Sequence, residues 1–351
     1  MFNYKLNLQL FANLHTNVTT QKGTYTGSDG NQYNQDLSVE NKTFYDMTLI
    51  DEAQANLVHD QFAQKRPIPK NGGKKIEFRK FASLPKATTP LTEGETPDGK
   101  KLSVTSIEAE VAQYGDYIVQ SDVLELTAID NTIVEATKIL GRQAGLTLDT
   151  ITRNVIQSGT NVFYCPKADG TPVTKRPDLD ATCKLTVDVV NRVVAILKKS
   201  NAPKINGDYV AIIHPLVAYD LMSDPAWIDA HKYTTSENIY QGELGKIGGV
   251  RFVESSEARI YSGGEGNAAT PEGLKVFGCL FLADGAYGVT EITGGGLETI
   301  IKQKGSGGTY DPLNQRSSIG WKAIKTAEIL VEDYMVRVEC VSALNDQAEA
   351  N

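Results

Sequence analysis

The stretch "KKIEFRKFASLPKATTPLTEGETPDGKKLSVTSIEAEVAQYGDYIV", residues 74–119, decides the fold. Both of its ends alternate. Ile76 and Phe78 sit between charged neighbours, and Ile107, Ala109 and Val111 alternate with Glu108 and Glu110. Tyr117 and Val119 keep that register. A period of two is the mark of a strand with one apolar and one polar face. Between the two ends, Pro85, Pro90, Pro97, Gly94 and Gly99 break any helix and favour an extended loop. The pattern predicts a two-stranded arm over 74–120 with a Pro-rich tip. An isolated hairpin of that length is marginal in water, so it needs another molecule to lie on.

A long helix follows. Ile133, Thr137, Leu140, Ala144, Leu148, Ile151 and Val155 recur at intervals of three and four, which places them on one helix face. Thr132 and Glu135 have capping-box spacing, and Gly159 suits the stop. Taken over 132–158 the helix would be ~40 Å long. Gly141 and Gly145 lie four apart within it, which implies close packing against another element. Residues 1–55 are polar, rich in Asn, Gln and Thr, and read as an extended arm. From about 184 onward short helices alternate with strands. "TVDVVNRVVAILKKS" (186–200) is amphipathic, "DYVAIIH" (208–214) is a buried-type strand, and "KVFGCLFLAD" (275–284) is a strand. The chain closes with strand-like runs at 319–330 and 335–341. The fold class is α+β, with no internal repeat.

Composition excludes several functions. The 351 residues carry a net charge of −8, so no global basic field is present to hold nucleic acid or an anionic membrane. No apolar run approaches the ~20 residues of a membrane span, and the start of the chain lacks the apolar core and cleavage site of a signal peptide. Four scattered cysteines without a CxxC pair fit a reducing compartment.

The motifs that resemble chemistry fail on their details. "GETPDGKK" (94–101) matches GxxxxGK but has Lys101 where the magnesium ligand belongs, and a strand follows it where a helix is needed. Asp29, Asn31 and Glu40 fit a calcium loop, except that Tyr33 and Asn34 stand at its fifth and sixth positions. Asp224, Asp229 and His231 could be drawn as a metal cluster, but Asp224 before Pro225 reads better as a helix N-cap. No catalytic constellation, cofactor site or metal site is expected.

Charge is more informative. Between 65 and 86, Lys65, Arg66, Lys70, Lys74, Lys75, Arg79, Lys80 and Lys86 are opposed only by Glu77. Docking onto an acidic neighbour explains this polarised arm better than nucleic-acid binding, since the pattern places Phe78 on the apolar face, away from stacking. The candidate inter-subunit residues are Lys74, Lys75, Arg79, Lys80 and Lys86, with Thr92, Glu93 and Asp98 at the tip. In "YDPLNQRSSIGWKA" (310–323), Asp311-Pro312 favours a turn, Asn314, Gln315 and Arg316 supply polar groups, and Trp321 anchors the strand after it.

Three blocks carry a family resemblance: "TTPLTEGETPDGKKLSVTSIEAEVAQYGDYIVQSDVLELT" (88–127), "GELGKIGGVRFVES" (242–255) and "DPLNQRSSIGWK" (311–322). They resemble major capsid proteins of tailed bacteriophages, specifically the N4-like family, over roughly residues 50–342. The resemblance implies the tailed-phage capsid fold, shared with herpesvirus shell floors. It divides the chain into an N-terminal arm (1–55), an E-loop hairpin and its base (56–120), and a P domain with the spine helix (121–180). An A domain (181–320) and returning C-terminal strands with a polar tail (321–351) complete it. It implies homo-hexamers and homo-pentamers in an icosahedral virion shell, assembled in the host cytoplasm around double-stranded DNA without sequence-specific binding. Scaffolding, portal and decoration proteins are the implied partners; no membrane is. A nanocompartment shell of the same fold and an enzyme using the 180–320 region are the alternatives.

Overall fold

A computed structural model describes residues 16–17, 23–26, 32–35, 58–81, 84–90, 93–94, 96, 98–127, 132–231, 243–264, 266, 269–291, 297–306 and 311–351. The chain divides into two compact units, one of residues 1–54, 113–145 and 296–323, the other of residues 55–112, 146–295 and 324–351.

The second unit is built on a seven-stranded mixed sheet. Its order is Glu243–Ile247, Val250–Glu254, Tyr209–Ile213, Val276–Leu282, Met335–Cys340 and Val162–Tyr164, with Ile260–Tyr261 also on Val276–Leu282. Every residue of Tyr209–Ile213 and Val276–Leu282 is buried. Continuous apolar runs of this kind belong to strands covered on both faces. Tyr209, Ala211, Ile213, Phe252 and Phe281 face one core with the helix Val187–Lys199. Val210, Ile212, Leu280 and Leu282 face a second core with Val58, Phe62, Ile156 and Tyr287. Thr186 caps the helix Val187–Lys199 by accepting from Val189 N. In the same unit Tyr287–Glu291 runs antiparallel to residues 325–329 and parallel to Gln64–Lys65.

The long helix spans Thr132–Gln157. Its buried row is Ala136, Leu140, Ala144, Thr152 and Ile156, flanked by a buried polar row of Asp149, Arg153 and Gln157. Ile151 and Val155, expected on the buried face, are only half-buried, and the side chains of Ile133 and Thr137 lie outside the described residues. Polar residues occupy the inner face because each finds a partner. Asp149 meets His59, Arg153 donates to Glu257 O, and Gln157 donates to Gly278 O. Arg337 donates to Gln157 O and Gly159 O, and so puts a cation on the free carbonyls of the helix end. Gly141 departs from the expected close packing. It is exposed, and a Cβ built there would have nothing within 4 Å.

The arm over 74–120 is also corrected. Lys75–Phe81 pairs antiparallel with Val104–Glu110, Lys75 opposite Glu110 and Phe81 opposite Val104. The ladder stops there because Asn71, at φ 68, and the glycines beside it turn the first strand away. Val111 N makes a last bond to Lys74 O, and residues 112–121 form a separate strand in another sheet.

In the first unit that strand lies between Thr16–Asn17, parallel at Val119 and Gln120, and the first part of Arg316–Ile329. Glu298–Lys302 pairs antiparallel with residues 318–322 on the far side. Gly23–Thr26 and Gln32–Gln35 form a short antiparallel pair, so Tyr33 and Asn34 of the calcium pattern lie in a strand, while Asp29 is outside the described residues. Two glycines permit the close approach of the neighbouring strands. A Cβ at Gly115 would stand 2.6 Å from Trp321 O, and one at Gly320 would stand 2.8 Å from Tyr117 Cβ and 2.9 Å from Asp116 O.

Thermal unfolding of the unassembled subunit should separate the two kinds of glycine. Gly320→Ala should destabilise by ~1–3 kcal/mol through overpacking. Gly141→Ala should stabilise by about 1 kcal/mol, because it restores helix propensity where nothing is displaced. A melting temperature lowered by Gly141→Ala would contradict the open site described above.

Candidate functional site

The hairpin of the second unit is largely exposed. Its apolar face looks inward: Ile76, Phe78 and Ile107 are half-buried and Ala109 is buried. Phe78 Cζ would lie 3.2 Å from a Cβ at Gly288, beside Leu330. The outer face is charged, and cross-strand register decides what those charges do. Glu77 faces Glu108 directly, a like-charge pair that costs stability unless relieved. Arg79 sits 2.9 Å from Glu77, and Lys75 sits 3.6 Å from Glu108. The hydrogen bond to Arg79 holds the Glu77 carboxyl below its usual value, and the same bond raises the Arg79 guanidinium. Lys75 and Arg79 are therefore occupied by their own hairpin, which the run of basic residues in sequence did not show. Lys74, Lys86, Glu93 and Asp98 are exposed, the Lys80 side chain is undescribed, and Thr92 lies outside the described residues. The loop bears exposed apolar groups, with Leu84 52%, Leu102 68% and Val104 48% accessible.

The root of the hairpin is clamped by a network that sequence reasoning missed. His59 is fully buried. Its backbone N–H donates to Asp149 Oδ1 at 2.9 Å, and its Nδ1 lies 2.6 Å from Asp149 Oδ2. Asp60 accepts from Thr152 Oγ1 at 2.6 Å and from Lys325 Nζ, which also donates to Leu148 O at 2.9 Å. Tyr287 donates its hydroxyl to His59 O. Burial, then the nearby Asp60 and Asp149 charges, push the Tyr287 phenol well up, so it remains a donor. The partners of His59 and Asp60 lie 90 or more residues away, and no local spacing announces them.

The loop at 311–316 is a turn held by Asp311. Its carboxylate accepts from Gln315 N at 3.1 Å and Arg316 N at 2.8 Å, and its carbonyl accepts from Asn314 N at 3.1 Å. Asn314 takes φ 54, a value Asn tolerates. Asn314, Gln315 and Arg316 are exposed, whereas Trp321 is buried and donates to Gln143 Oε1 at 3.3 Å. Gln143 in turn donates to Asp116 Oδ2 at 2.7 Å.

Other groups considered for chemistry are used as structure. Asp224 accepts from Val187 N at 2.9 Å and Ala226 N at 3.0 Å, so one carboxylate serves two helix starts. The His231 side chain is undescribed, and no group of three metal-ligating side chains exists among the described residues. All four cysteines are buried free thiols. No helix among the described residues is long and apolar enough to cross a membrane.

With this geometry in hand, solved structures identify the fold. The chain is similar to the capsid of cyanophage P-SCSP1u, at a TM-score of 0.64 and 15% identity, covering 89% of this chain and 96% of that one. It is similar to the capsid of Ralstonia phage GP4, at a TM-score of 0.65 and 15% identity, covering 88% and 96%. It is less similar to the holo-SrpI encapsulin complex of Synechococcus elongatus, at a TM-score of 0.53 and 9% identity, covering 83% and 89%. The fold is that of tailed-phage capsid proteins, of the α+β class. The chain belongs to the phage capsid protein family, whose model matches residues 104–336, more than half of its length. It is a capsid shell protein. No curated protein sequence matches it.

Two expected outcomes test the clamp and the acid response of the subunit. Asp149→Ala leaves two buried His59 donors without an acceptor and should cost on the order of 2–6 kcal/mol, at ~1–3 kcal/mol per unmet group. Urea unfolding of the unassembled subunit measures this, and a midpoint like wild type would show that the pair contributes nothing. His214 caps the helix Pro215–Met222 by accepting from Leu216 N, and burial lowers its pKa to about 4. A depressed histidine pKa favours the neutral form in the fold. Its contribution is therefore full above pH ~6.5 and is lost as pH falls toward about 4. His214→Asn keeps an acceptor without a titration, so its stability should depend less on pH across that window; an unchanged slope would exclude His214 as the source.

Proposed function

We propose that this chain is the major capsid protein of a tailed phage of the N4-like kind, assembling as hexamers and pentamers into an icosahedral shell around double-stranded DNA. The supporting observation is a hairpin that one subunit leaves exposed. Its loop and the strand end beside it carry accessible Leu84, Leu102 and Val104, and its outer face carries charge that serves no core. In this reading 56–120 is the E-loop and its base, and 121–180 contains the spine helix. Residues 181–320 form the A domain and 321–351 return to it, with 1–55 as the arm. Lys74, Lys75, Arg79, Lys80, Lys86, Thr92, Glu93 and Asp98 meet a neighbouring subunit, while Asp311 to Arg316 and Trp321 shape a structural loop. The chain performs no catalysis and takes no cofactor. Its partners are copies of itself, with scaffolding, portal and decoration proteins joining the particle, which assembles in the host cytoplasm.

The acidic balance of −8 suits a wall facing packaged DNA, since phosphate binding is driven by Lys and Arg. A nanocompartment shell of the same fold would enclose protein cargo instead. Sedimentation and electron microscopy of the purified chain, with and without co-expressed phage head proteins, test the proposal. Closed particles holding nuclease-protected DNA after infection are expected. A species that stays at 38.2 kDa under every condition would overturn the shell, and particles filled only with protein would favour the compartment.

A further inference from the structure

Cys165, Cys183, Cys279 and Cys340 share no sequence motif, yet the fold gathers all of them in one core of the second unit. Each is a buried free thiol. Cys279 and Cys340 lie on the neighbouring antiparallel strands Val276–Leu282 and Met335–Cys340, with Cys340 opposite Phe277 and Cys279 opposite Val338. Residues two apart on a strand share a face, so both thiols enter the same core. Their sulfurs are 3.8 Å apart. Cys165 stands on the other side of Cys340. Its backbone N–H donates to Glu339 O at 3.0 Å, and its thiol is hydrogen-bonded with that of Cys340. Cys183 approaches through the backbone only: its carbonyl accepts from Val341 N at 2.9 Å, while its thiol donates to Asp180 Oδ1 at 3.4 Å. The thiols are not arranged as a metal-ligand set.

We propose that Cys279 and Cys340 are an oxidation site, at which hydrogen peroxide forms an intrachain disulfide that ties the two strands together. The Cys340 sulfur attacks one peroxide oxygen and the O–O bond breaks, giving Cys340 sulfenic acid and one water. The Cys279 sulfur then attacks the sulfenic sulfur and the S–O bond breaks, giving the disulfide and a second water. The two thiols lose two electrons to peroxide, and both of their protons end in water. The sulfurs have only to close from 3.8 Å to about 2.05 Å. The bond to Cys340, then burial, pushes the Cys279 thiol well up, and the bond to Cys165 pushes up that of Cys340. Little thiolate is present in the closed fold, so the first step is slow. The second is favoured, because the sulfenic acid forms beside its partner thiol and away from solvent. Met335–Cys340 and Val162–Tyr164 both end at this site, and Cys165 leads into an exposed loop at 168–172. Strand ends open locally without unfolding the whole sheet, which admits a molecule as small as peroxide. The chemistry stands without the shell reading. That reading supplies only its timing, since a particle that outlasts its host leaves the reducing cytoplasm.

The test uses the full chain, purified with a thiol reductant and then held in dilute hydrogen peroxide. Peptide mapping without reduction should find one link, Cys279 to Cys340, lighter by two hydrogens than the free thiols, with Cys183 still reduced. The melting temperature should rise by about 5 °C or more and fall back with reductant, because the link joins residues 61 positions apart and constrains the unfolded chain. Cys279→Ala and Cys340→Ala should each abolish both the link and the rise, and Cys165→Ala should keep both. Mapping of the wild-type chain decides alone where an alanine variant fails to fold. A Cys165–Cys340 link, sulfinic acid at Cys340 without a link, a link that leaves the melting temperature unchanged, or thiols that stay reduced for as long as the fold survives would each overturn the proposal. A chain that forms the link but never assembles overturns the shell reading and leaves the disulfide in place.

Discussion

A sheet that is apolar on both faces has to be covered twice, and most of the second unit follows from that requirement. Tyr209–Ile213 and Val276–Leu282 have no water-facing side. The amphipathic helix Val187–Lys199 covers one face with Val190, Val193, Val194 and Leu197. The other face needs a cover whose own outer side can be satisfied, and it is built from Ile156 of the long helix with Val58, Phe62 and Tyr287. Because Ile156 turns inward, Asp149, Arg153 and Gln157 are drawn in with it. Buried polar groups require partners, and those partners are what fix the neighbouring chain. Gln157 takes Gly278 O and the Tyr261 hydroxyl, and Asp149 takes His59. The burial of one aliphatic face thereby determines where the hairpin root is held.

The same clamp sets the base of the hairpin. His59 and Asp60 are adjacent, and each is tied to the long helix, Asp60 also to Lys325. A hairpin that leaves from a doubly anchored dipeptide has a defined direction at its base even though its tip is solvated. Rigid roots with adaptable ends suit a part that must find a surface on another molecule. Association then loses less conformational freedom than it would for a free loop.

Much of this was legible in the sequence. The alternation around Ile76 and Ile107 announced two strands, the three-and-four spacing announced the long helix, and the apolar run at 208–214 announced a buried strand. What could not be read was anything set by partners distant in the chain. The buried face of the helix is rotated from Ile151 and Val155 toward Thr152 and Ile156 because Asp149 meets a residue 90 positions away. The arm ends at Glu110 and not at 120, because its partner strand turns off at Asn71. The basic cluster looked unopposed because Glu108 comes beside Lys75 only through cross-strand register. The candidate docking residues fall in the same class: exposure of Lys74, Lys86, Glu93 and Asp98 follows from a hairpin, but nothing in their local sequence names what they meet.

The remaining constraint is that a shell subunit has to be soluble before it assembles and adherent afterward. Large apolar patches would satisfy the second condition and fail the first. This chain exposes scattered apolar groups on the hairpin, Leu84, Leu102 and Val104, among prolines and charges. Each such contact is modest alone. In a closed lattice the second and later contacts of a subunit already held in place form at high effective concentration. Self-pairing of Arg79 with Glu77 and of Lys75 with Glu108 serves the same end. It ties the most concentrated cations to carboxylates of their own hairpin, which lowers their nonspecific attraction to nucleic acid.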